Sequence, residues 1–275
     1  MITYQKQTAS DYIDKIRDGL QRYNRPYTGE VRTDSFNVYV FDKDRLIGSA
    51  ITEMGWNWVY FVSFCFIDDK VGRIVFDTLY QHYHGDVVGI KHVTSSDTVR
   101  DHLVSFGFTS PGKLSHTPED ETRHVLINTT LRSIPIEHSY RIESSEDPIE
   151  EYQSMVDAFI RQFEHTHNMD GPKMDIIYTV QEESNFLGGI YGILDGGILY
   201  VRLLFVDRHY RFQGVGAKLM SLAEEDAKQH GAQTSYVSTV SFQALGFYEK
   251  QGYTKDITIH DKPKSFNEYI LSKTL

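Results

Sequence analysis

The chain reads as an α/β protein with mixed α+β sheets, built as two tandem units, and three observations carry that reading. An apolar, aromatic strand, Ile198–Phe205, runs through a glycine loop into a block of helix formers, Ala217–Ala227, with Gly231 as its stop. Short apolar strands bounded by turn residues alternate with helical periodicity along the whole chain. The pattern also repeats. Phe66-Ile67-Asp68 matches Phe205-Val206-Asp207 at an offset of 139, and Ser105-Phe106-Gly107-Phe108 matches Lys250-Gln251-Gly252-Tyr253 at 145. The difference, 145 − 139 = 6, makes the first copy six residues shorter between these anchors. The loss is expected where the second copy carries its glycine loop, because Asp68-Asp69-Lys70-Val71-Gly72 runs straight into helix.

In order, Ile13, Ile16 and Leu20 share one helical face, and Asn24-Arg25-Pro26-Tyr27-Thr28-Gly29 is expected to break that helix. Phe36–Phe41 and Leu46–Ile51 form a hairpin about Asp42-Lys43-Asp44, followed by a strand at Trp58–Ile67. Lys70–His82 is helical, Val87–Val93 a strand, Thr98–Phe106 a short helix, and Arg123–Ile127 closes the unit. The second unit opens with a helix over Ile149–Phe163. A hairpin follows, Met174–Val180 with Leu187–Leu194, then the central strand, loop and helix. Strand Thr234–Val240, helix Phe242–Glu249 and strand Glu268–Leu271 complete it. The expected division is residues 1–131, a linker at 132–138 containing Pro135, and residues 139–275.

The 275 residues suffice for two domains, and 40% hydrophobic with 24% charged residues is ordinary for a globular protein with a sizeable core. The single cysteine, Cys65, excludes an intrachain disulfide and suits a reducing compartment. Met1–Lys6 lacks the apolar stretch of a secretion signal, and no apolar run approaches the ~18 residues of a membrane span, so a cytoplasmic protein is expected. A net charge of −10 argues against nucleic acid as a partner. It suits a cationic substrate such as an amine, and solubility explains it equally well. A homodimer is left open.

Arg211-Phe212-Gln213-Gly214-Val215-Gly216 is the chemical centre of the sequence. Without Cβ atoms, Gly214 and Gly216 let backbone N–H groups close on a ligand, and the start of the following helix adds unpaired donors and partial positive charge. That is an anion cradle, most naturally for phosphate. It is not a nucleotide P-loop, which needs Gly-Lys-Ser/Thr, and it lacks the third glycine of the dinucleotide fingerprint.

The segment resembles the Arg/Gln-x-x-Gly-x-Gly/Ala loop of the GNAT superfamily of N-acetyltransferases, read here as Arg211-x-x-Gly214-x-Gly216. A second marker supports it. Ala244-Leu245-Gly246-Phe247-Tyr248-Glu249-Lys250-Gln251-Gly252-Tyr253 is similar to the family's Ala-x-x-x-Tyr-x-x-x-Gly-Phe segment, preceded by Ser241-Phe242-Gln243. The resemblance covers Tyr140–Leu275 and, more loosely, Met1–Leu131. It implies tandem GNAT-like acyl-CoA N-acyltransferase domains, the first a degenerate copy without the phosphate loop. It also implies acetyl-CoA as cofactor, its pyrophosphate on Arg211 through Gly216, and oxyanion stabilisation by backbone N–H groups of Leu204, Phe205 and Val206. Tyr248 would protonate the leaving thiolate; packing against the cofactor is its other reading. The implied activity is acetyl transfer to a primary amine of a small substrate. The alternative is a non-catalytic acyl-CoA-binding or sensing protein.

Amine attack needs a proton acceptor, since an amine of pKa ~10 is only about 0.1% free base at pH 7. Relatives often place a carboxylate on the central strand, where this chain has Arg202, which cannot act as a base. Water, His209, or a carboxylate from the first half stay open. Arg202 is the candidate for binding a substrate carboxylate, against the blander reading of a surface or paired arginine. Leu103 stands in the first copy at the place of Tyr248 (248 − 145 = 103). Trp56, Trp58, Tyr60 and Phe61 read first as core and second as a substrate wall facing the other half. His82, His84, His92 and His102 have no ligand spacing, and His165-Thr166-His167 reads as solvated surface, so no metal site is expected.

Overall fold

Alternating strands and helices assemble into two seven-stranded mixed sheets. The computed structural model describes residues 2–30, 34–83, 87–94, 96–114, 123–132, 136–166 and 173–275. The first elements are β1 (Ile2–Gln7), α1 (Asp11–Thr28), β2 (Asn37–Asp42), β3 (Arg45–Gly55), β4 (Trp58–Phe66), α2 (Asp69–His82) and β5 (Gly89–Thr94). Then come α3 (Asp97–Ser105), β6 (Thr109–Lys113), β7 (His124–Asn128), β8 (Arg141–Ser145), α4 (Glu150–Thr166) and β9 (Met174–Glu182). The chain finishes with β10 (Asn185–Asp195), β11 (Ile198–Val206), α5 (Val215–Gln229), β12 (Thr234–Val240), α6 (Leu245–Lys250), β13 (Thr254–Ile259) and β14 (Glu268–Thr274).

The strand orders are β8-β2-β3-β4-β5-β7-β6 and β1-β9-β10-β11-β12-β14-β13, one plan used twice. In each, the central strand runs parallel to the strand that follows its helix, β4 beside β5 and β11 beside β12. All other pairings are antiparallel.

A division at residues 132–138 does not describe these sheets. β1 pairs with β9, Ile2 opposite Glu182, and so belongs to the second sheet. β8 pairs with β2, Asn37 opposite Ser145, and so belongs to the first. The helices follow their strands. On α1, Ile16 is fully buried, and a Cβ on Gly19 would lie 2.5 Å from the Phe205 ring, so the helix sits tight on β10 and β11. On α4, Val156 is buried with Tyr39, Phe41 and Leu46 on the first sheet. Each sheet therefore borrows its outer strand and first helix from the other half. The physical reason is that edge strands pair through backbone alone, so whichever strand reaches the open edge of β2 or β9 can satisfy it. Residues 136–138 of the expected linker lead, through residues 139–140, into β8 of the first sheet, while residues 133–135 lie outside the described residues.

The helix expected to break at Asn24–Gly29 runs on to Thr28 with Pro26 in its last turn, where only one hydrogen bond is forfeited. Tertiary bonds hold that turn: Tyr23 Oη donates to the Phe242 carbonyl (3.0 Å) and Gln243 Nε2 to Asn24 Oδ1 (2.8 Å). β1, β6, β8 and β13 carry no strong apolar alternation and are additions to the expected elements. α6 begins at Leu245 rather than Phe242, because Gln243 Oε1 accepts from the Val240 amide and holds a turn there.

Besides the cluster under α4, two cores lie between the sheets and their helices, and another joins the halves through Trp58, Val125, Ile198, Ile257 and Ile270. Beside it lies a buried ionic group. Glu268 accepts from Lys91 Nζ through both carboxylate oxygens at 3.0 Å and from Lys262 Nζ at 2.7 Å. Among the described residues no helix is long and apolar enough to cross a membrane.

Candidate functional site

The second sheet opens at its centre. β11 pairs with β12 only from Ile198↔Thr234 to Val201↔Val237. Beyond that, β12 stays with β14 as far as Val240↔Glu268 and β11 stays with β10 as far as Val206↔Gly188. A register shift opposite Tyr191/Gly192 leaves Arg202 as an extra residue between Val201 and Leu203, a bulge that bends β11 away from its neighbour. Residues 202–206 thus turn one backbone edge to a gap, with no β12 ladder partners for their amides and carbonyls.

A cavity of about 530 Å³ fills the gap. Its walls are β11 from Val201 to Val206, β12 at Val237–Thr239, the loop at Arg211–Gly216, and Phe247 with Tyr248 of α6. Leu20 and Tyr23 of the borrowed helix α1 close one side, a contribution for which the sequence offers only the apolar spacing of that helix.

The loop is built as the sequence predicts. Between Val206 and Val215 lie eight residues, 207–214, and between Phe66 and Asp69 only two, so the six-residue difference falls at this loop. Asp207 Oδ1 accepts from the His209 amide and from His209 Nδ1, both at 2.9 Å, and the amide first and the ring second hold its carboxyl below the usual range. Arg211 Nε donates to the Val206 carbonyl at 2.9 Å, and Gln213 Nε2 to that of His209 at 2.8 Å. Phe212 is fully exposed at φ 62°. Gly214 caps α5 at φ +82°, a left-handed conformation that glycine adopts freely, and no side chain caps the helix. A Cβ on Gly216 would come 3.3 Å from the Phe247 ring, so glycine here lets α6 approach the cradle. The first amides of α5 have no side-chain acceptor among the described residues, and Gly214, Gly216 and Ala217 at that helix start line the cavity.

α2 makes the opposite choice. Asp68 Oδ1 accepts from the Val71 amide at 2.9 Å, so a carboxylate of the chain occupies the anion position at that helix start. β4 also leaves β5 after Tyr60↔Lys91, but that gap is filled. Phe61, Phe64 and Phe76 pack there with His92, whose ring lies edge-on to Phe61 and Phe64 and is pushed down to about 4 by burial. Leu103 is fully buried.

Tyr248 is 6% exposed and lines the cavity; burial pushes its phenol well above the ordinary tyrosine range. Among the described residues its hydroxyl has no hydrogen-bond partner. Arg202 is exposed at the bulge and reaches the same cavity. No described carboxylate or imidazole lines it. His209 is exposed and bonded to Asp207, on the outer side of the loop. A base from the first half is not part of these walls.

A second groove of about 560 Å³ adjoins the first and shares Tyr23, Phe205 and Arg211 with it. Gly19, Pro26 and Tyr27 continue its wall along α1, and Arg22, Asp207 and Arg208 ring it. Tyr27 stacks on Phe242 with centroids 4.6 Å apart.

The Trp56–Phe61 aromatics do not form a substrate wall. Trp58 is fully buried in the core joining the halves, Phe61 packs in the first core, and Tyr60 lies 4.7 Å from Lys262 Nζ. His82 stacks on Phe36, and His102 Nδ1 meets Asp69 at 2.6 Å. His84, His167 and the His165 side chain lie outside the described residues. Among those described, no three His, Cys, Asp or Glu residues cluster as metal ligands.

A mixed sheet opened beside a glycine-capped helix start is built to hold a phosphate-bearing carrier with its far end threaded into the sheet. Comparison with known proteins places the chain more closely. Residues 142–262 match the family model of the acetyltransferase (GNAT) domain. Over 119 residues the chain is 33% identical to blasticidin-S acetyltransferase of Streptomyces morookaense, covering 42% of this chain and 88% of that protein. An acetyltransferase of Agrobacterium fabrum is 39% identical over 87 residues, 31% of this chain; the match spans 64% of that relative, a little under two thirds. A crystal structure of an acetyltransferase from Bacillus cereus is 25% identical, covers 48% of this chain and 96% of that one, and has a TM-score of 0.43. The chain belongs to the GNAT acetyltransferase family. The matched stretch begins with β8 and α4, which lie on the first sheet, so the contiguous family match and the spatial unit holding the cavity are different sets of residues.

Proposed function

We propose that this protein transfers the acetyl group of acetyl-CoA to a primary amine of a small substrate, in the cavity of the second sheet. The observation that carries this is the meeting of three features in one cavity: the uncapped Gly214 cradle, the unpaired edge of β11, and the proton-bearing Tyr248. Acetyl-CoA fits the residues present. The free amides of Val215 and Gly216 and the Arg211 guanidinium suit a pyrophosphate, and the gap between β11 and β12 suits a slender arm.

Bound there, acetyl-CoA supplies the activated thioester. Amides of Leu204, Phe205 and Val206 that face the gap are the donors for a developing oxyanion. Tyr248 keeps its proton on Oη at neutral pH, because burial disfavours the phenolate, and is poised to give it to a departing sulfur. Arg202 faces the acceptor side. With no carboxylate or imidazole in the described walls, the amine's proton leaves through water. The first sheet is read as a degenerate copy of the same unit. Its cradle is filled by Asp68, its gap by phenylalanines, and its phenol position by Leu103.

Calorimetric titration of acetyl-CoA tests this. One site per chain is expected in the wild type and none in Gly214→Asp, which would strain the left-handed backbone at the cradle and set a carboxylate against the pyrophosphate. Two sites would refute the reading of the first sheet, and no binding would refute that of the second. The absence of a side-chain base among the described wall residues favours one alternative, a protein that binds acyl-CoA without turnover. An amine panel under saturating acetyl-CoA separates the two.

A further inference from the structure

Four guanidinium groups surround the two joined cavities: Arg202 in the first, Arg22 and Arg208 in the second, Arg211 in both. The only described carboxylate in either wall is Asp207, whose Oδ1 is already engaged by the His209 amide and ring. Arginine ion pairs among the described residues are made by Arg17, Arg25, Arg100 and Arg141, and by none of these four. In a chain of net charge −10 this is a local inversion of sign. It also reverses the compositional hint of a cationic substrate.

Not all of this charge is needed by the cofactor. Arg211 and Arg208 sit on the cradle loop, where a pyrophosphate accounts for them. Arg22 stands on α1 and Arg202 on the β11 bulge, on the other walls. Beside Arg22 the second groove has an aromatic and apolar wall made by Tyr23, Pro26, Tyr27 and Phe205. A guanidinium is a planar fork of donors that matches a carboxylate bidentately, and beside apolar walls such a pair is screened less than in open water. Walls of this sign repel a polycationic acceptor and retain one with a negative group.

Resting on the acetyl-transfer reading above, we infer that the acceptor is an amine that also carries a carboxylate. It is amino-acid-like, its anionic end held by Arg22 and its body lying against Tyr23 and Phe205, which line both cavities.

The test uses pairs of amines that differ by one carboxylate: tyramine and tyrosine, histamine and histidine, agmatine and arginine. Each is assayed under saturating acetyl-CoA with wild type, Arg22→Glu and Arg22→Lys. The expected result is a kcat/KM preference of about tenfold or more for the carboxylated member of at least one pair in the wild type. Arg22→Glu loses that preference through KM, Arg22→Lys keeps part of it, and both variants bind acetyl-CoA as the wild type does. Equal use of both members, preference for the decarboxylated one, or no binding of any to the CoA-loaded protein overturns the inference. So does an Arg22→Glu loss of acetyl-CoA affinity that disappears with 3′-dephospho-acetyl-CoA, since the groove would then hold the cofactor's own phosphate. Failure of wild type to bind acetyl-CoA at all would instead remove the underlying reading.

Discussion

The Arg211 guanidinium lies 4.5 Å over the ring of Tyr23, and the two residues are 211 − 23 = 188 positions apart in the chain. Arg211 is also tied to the Val206 carbonyl, and the Tyr23 hydroxyl to the Phe242 carbonyl. One residue of α1 therefore braces the cradle loop on one side of the gap and the turn after β12 on the other. Replacing Tyr23 with Ala should raise KM for acetyl-CoA roughly three- to tenfold, the equivalent of about 1 kcal/mol. Tyr23→Phe, which keeps the ring under Arg211, should recover most of that. Steady-state kinetics on the two variants checks the order.

Tyr248→Phe removes one oxygen and leaves the packing intact. The expected effect is a fall in kcat of about tenfold or more with KM for acetyl-CoA changed less than about twofold. Burial raises the phenol's pKa, so its proton is retained past the ordinary tyrosine value near 10. The wild-type rate should show no falling limb from this group below about pH 10. Such a limb, lost in the Phe variant, would contradict the burial argument.

Asp68→Ala should cost about 1 kcal/mol of stability through loss of the α2 cap, read as a drop of a few degrees in melting temperature. It should not create a second acetyl-CoA site, because phenylalanine rings still fill the gap beside β4. Calorimetric stoichiometry in that variant should stay at one.

Lys262 is the second ammonium on a single buried carboxylate, so burial leaves it an uncompensated cation and pulls its pKa down to about 7. Against the cost of its own burial, the two ammonium groups hold Glu268 down to about 2. Between about pH 7 and the ordinary lysine value of 10.5, the unfolded chain holds a proton that the folded chain has released. Stability therefore rises with pH across that window as far as this group is concerned. Lys262→Met should flatten the rise in melting temperature between about pH 7.5 and 9.5, and leave stability near pH 7 equal or higher. Glu268→Gln should lower stability by about 3–5 kcal/mol, since it strands both lysines. An unchanged pH slope in the Met variant would show that Lys262 keeps its proton in the fold.

Much of the site could be read from sequence because its signals are local. Gly214 and Gly216 follow an apolar strand directly, and the shortened interval after Phe66 marks where the first copy lacks a loop. The exchange of outer strands was not readable. Ile2–Gln7 and Arg141–Ser145 are short and half polar, and either could satisfy the edge of either sheet. The extension of α1 past Pro26 was hidden for a related reason. Bonds between Tyr23 and Phe242 and between Asn24 and Gln243 override a local breaker, and the partners of each pair lie 219 positions apart in sequence. Arg22 carries no local signal in the sequence. Only the fold brings it to the groove that Arg208 and Arg211 share.

The borrowed outer strand has a cost in time. β1 is made well before its partner, since β9 is completed 182 − 2 = 180 residues after β1 begins. At about 5–20 residues per second that is roughly ten to forty seconds of waiting. Through that interval the apolar face of α1, with Ile16 at its centre, has no sheet to cover it. The finished cavity then depends on early and late parts of the chain meeting, Tyr23 against Arg211 and Asn24 against Gln243. A nascent chain stalled before Met174 would own a complete set of strands for its first sheet and, of the working site, only the wall that α1 supplies.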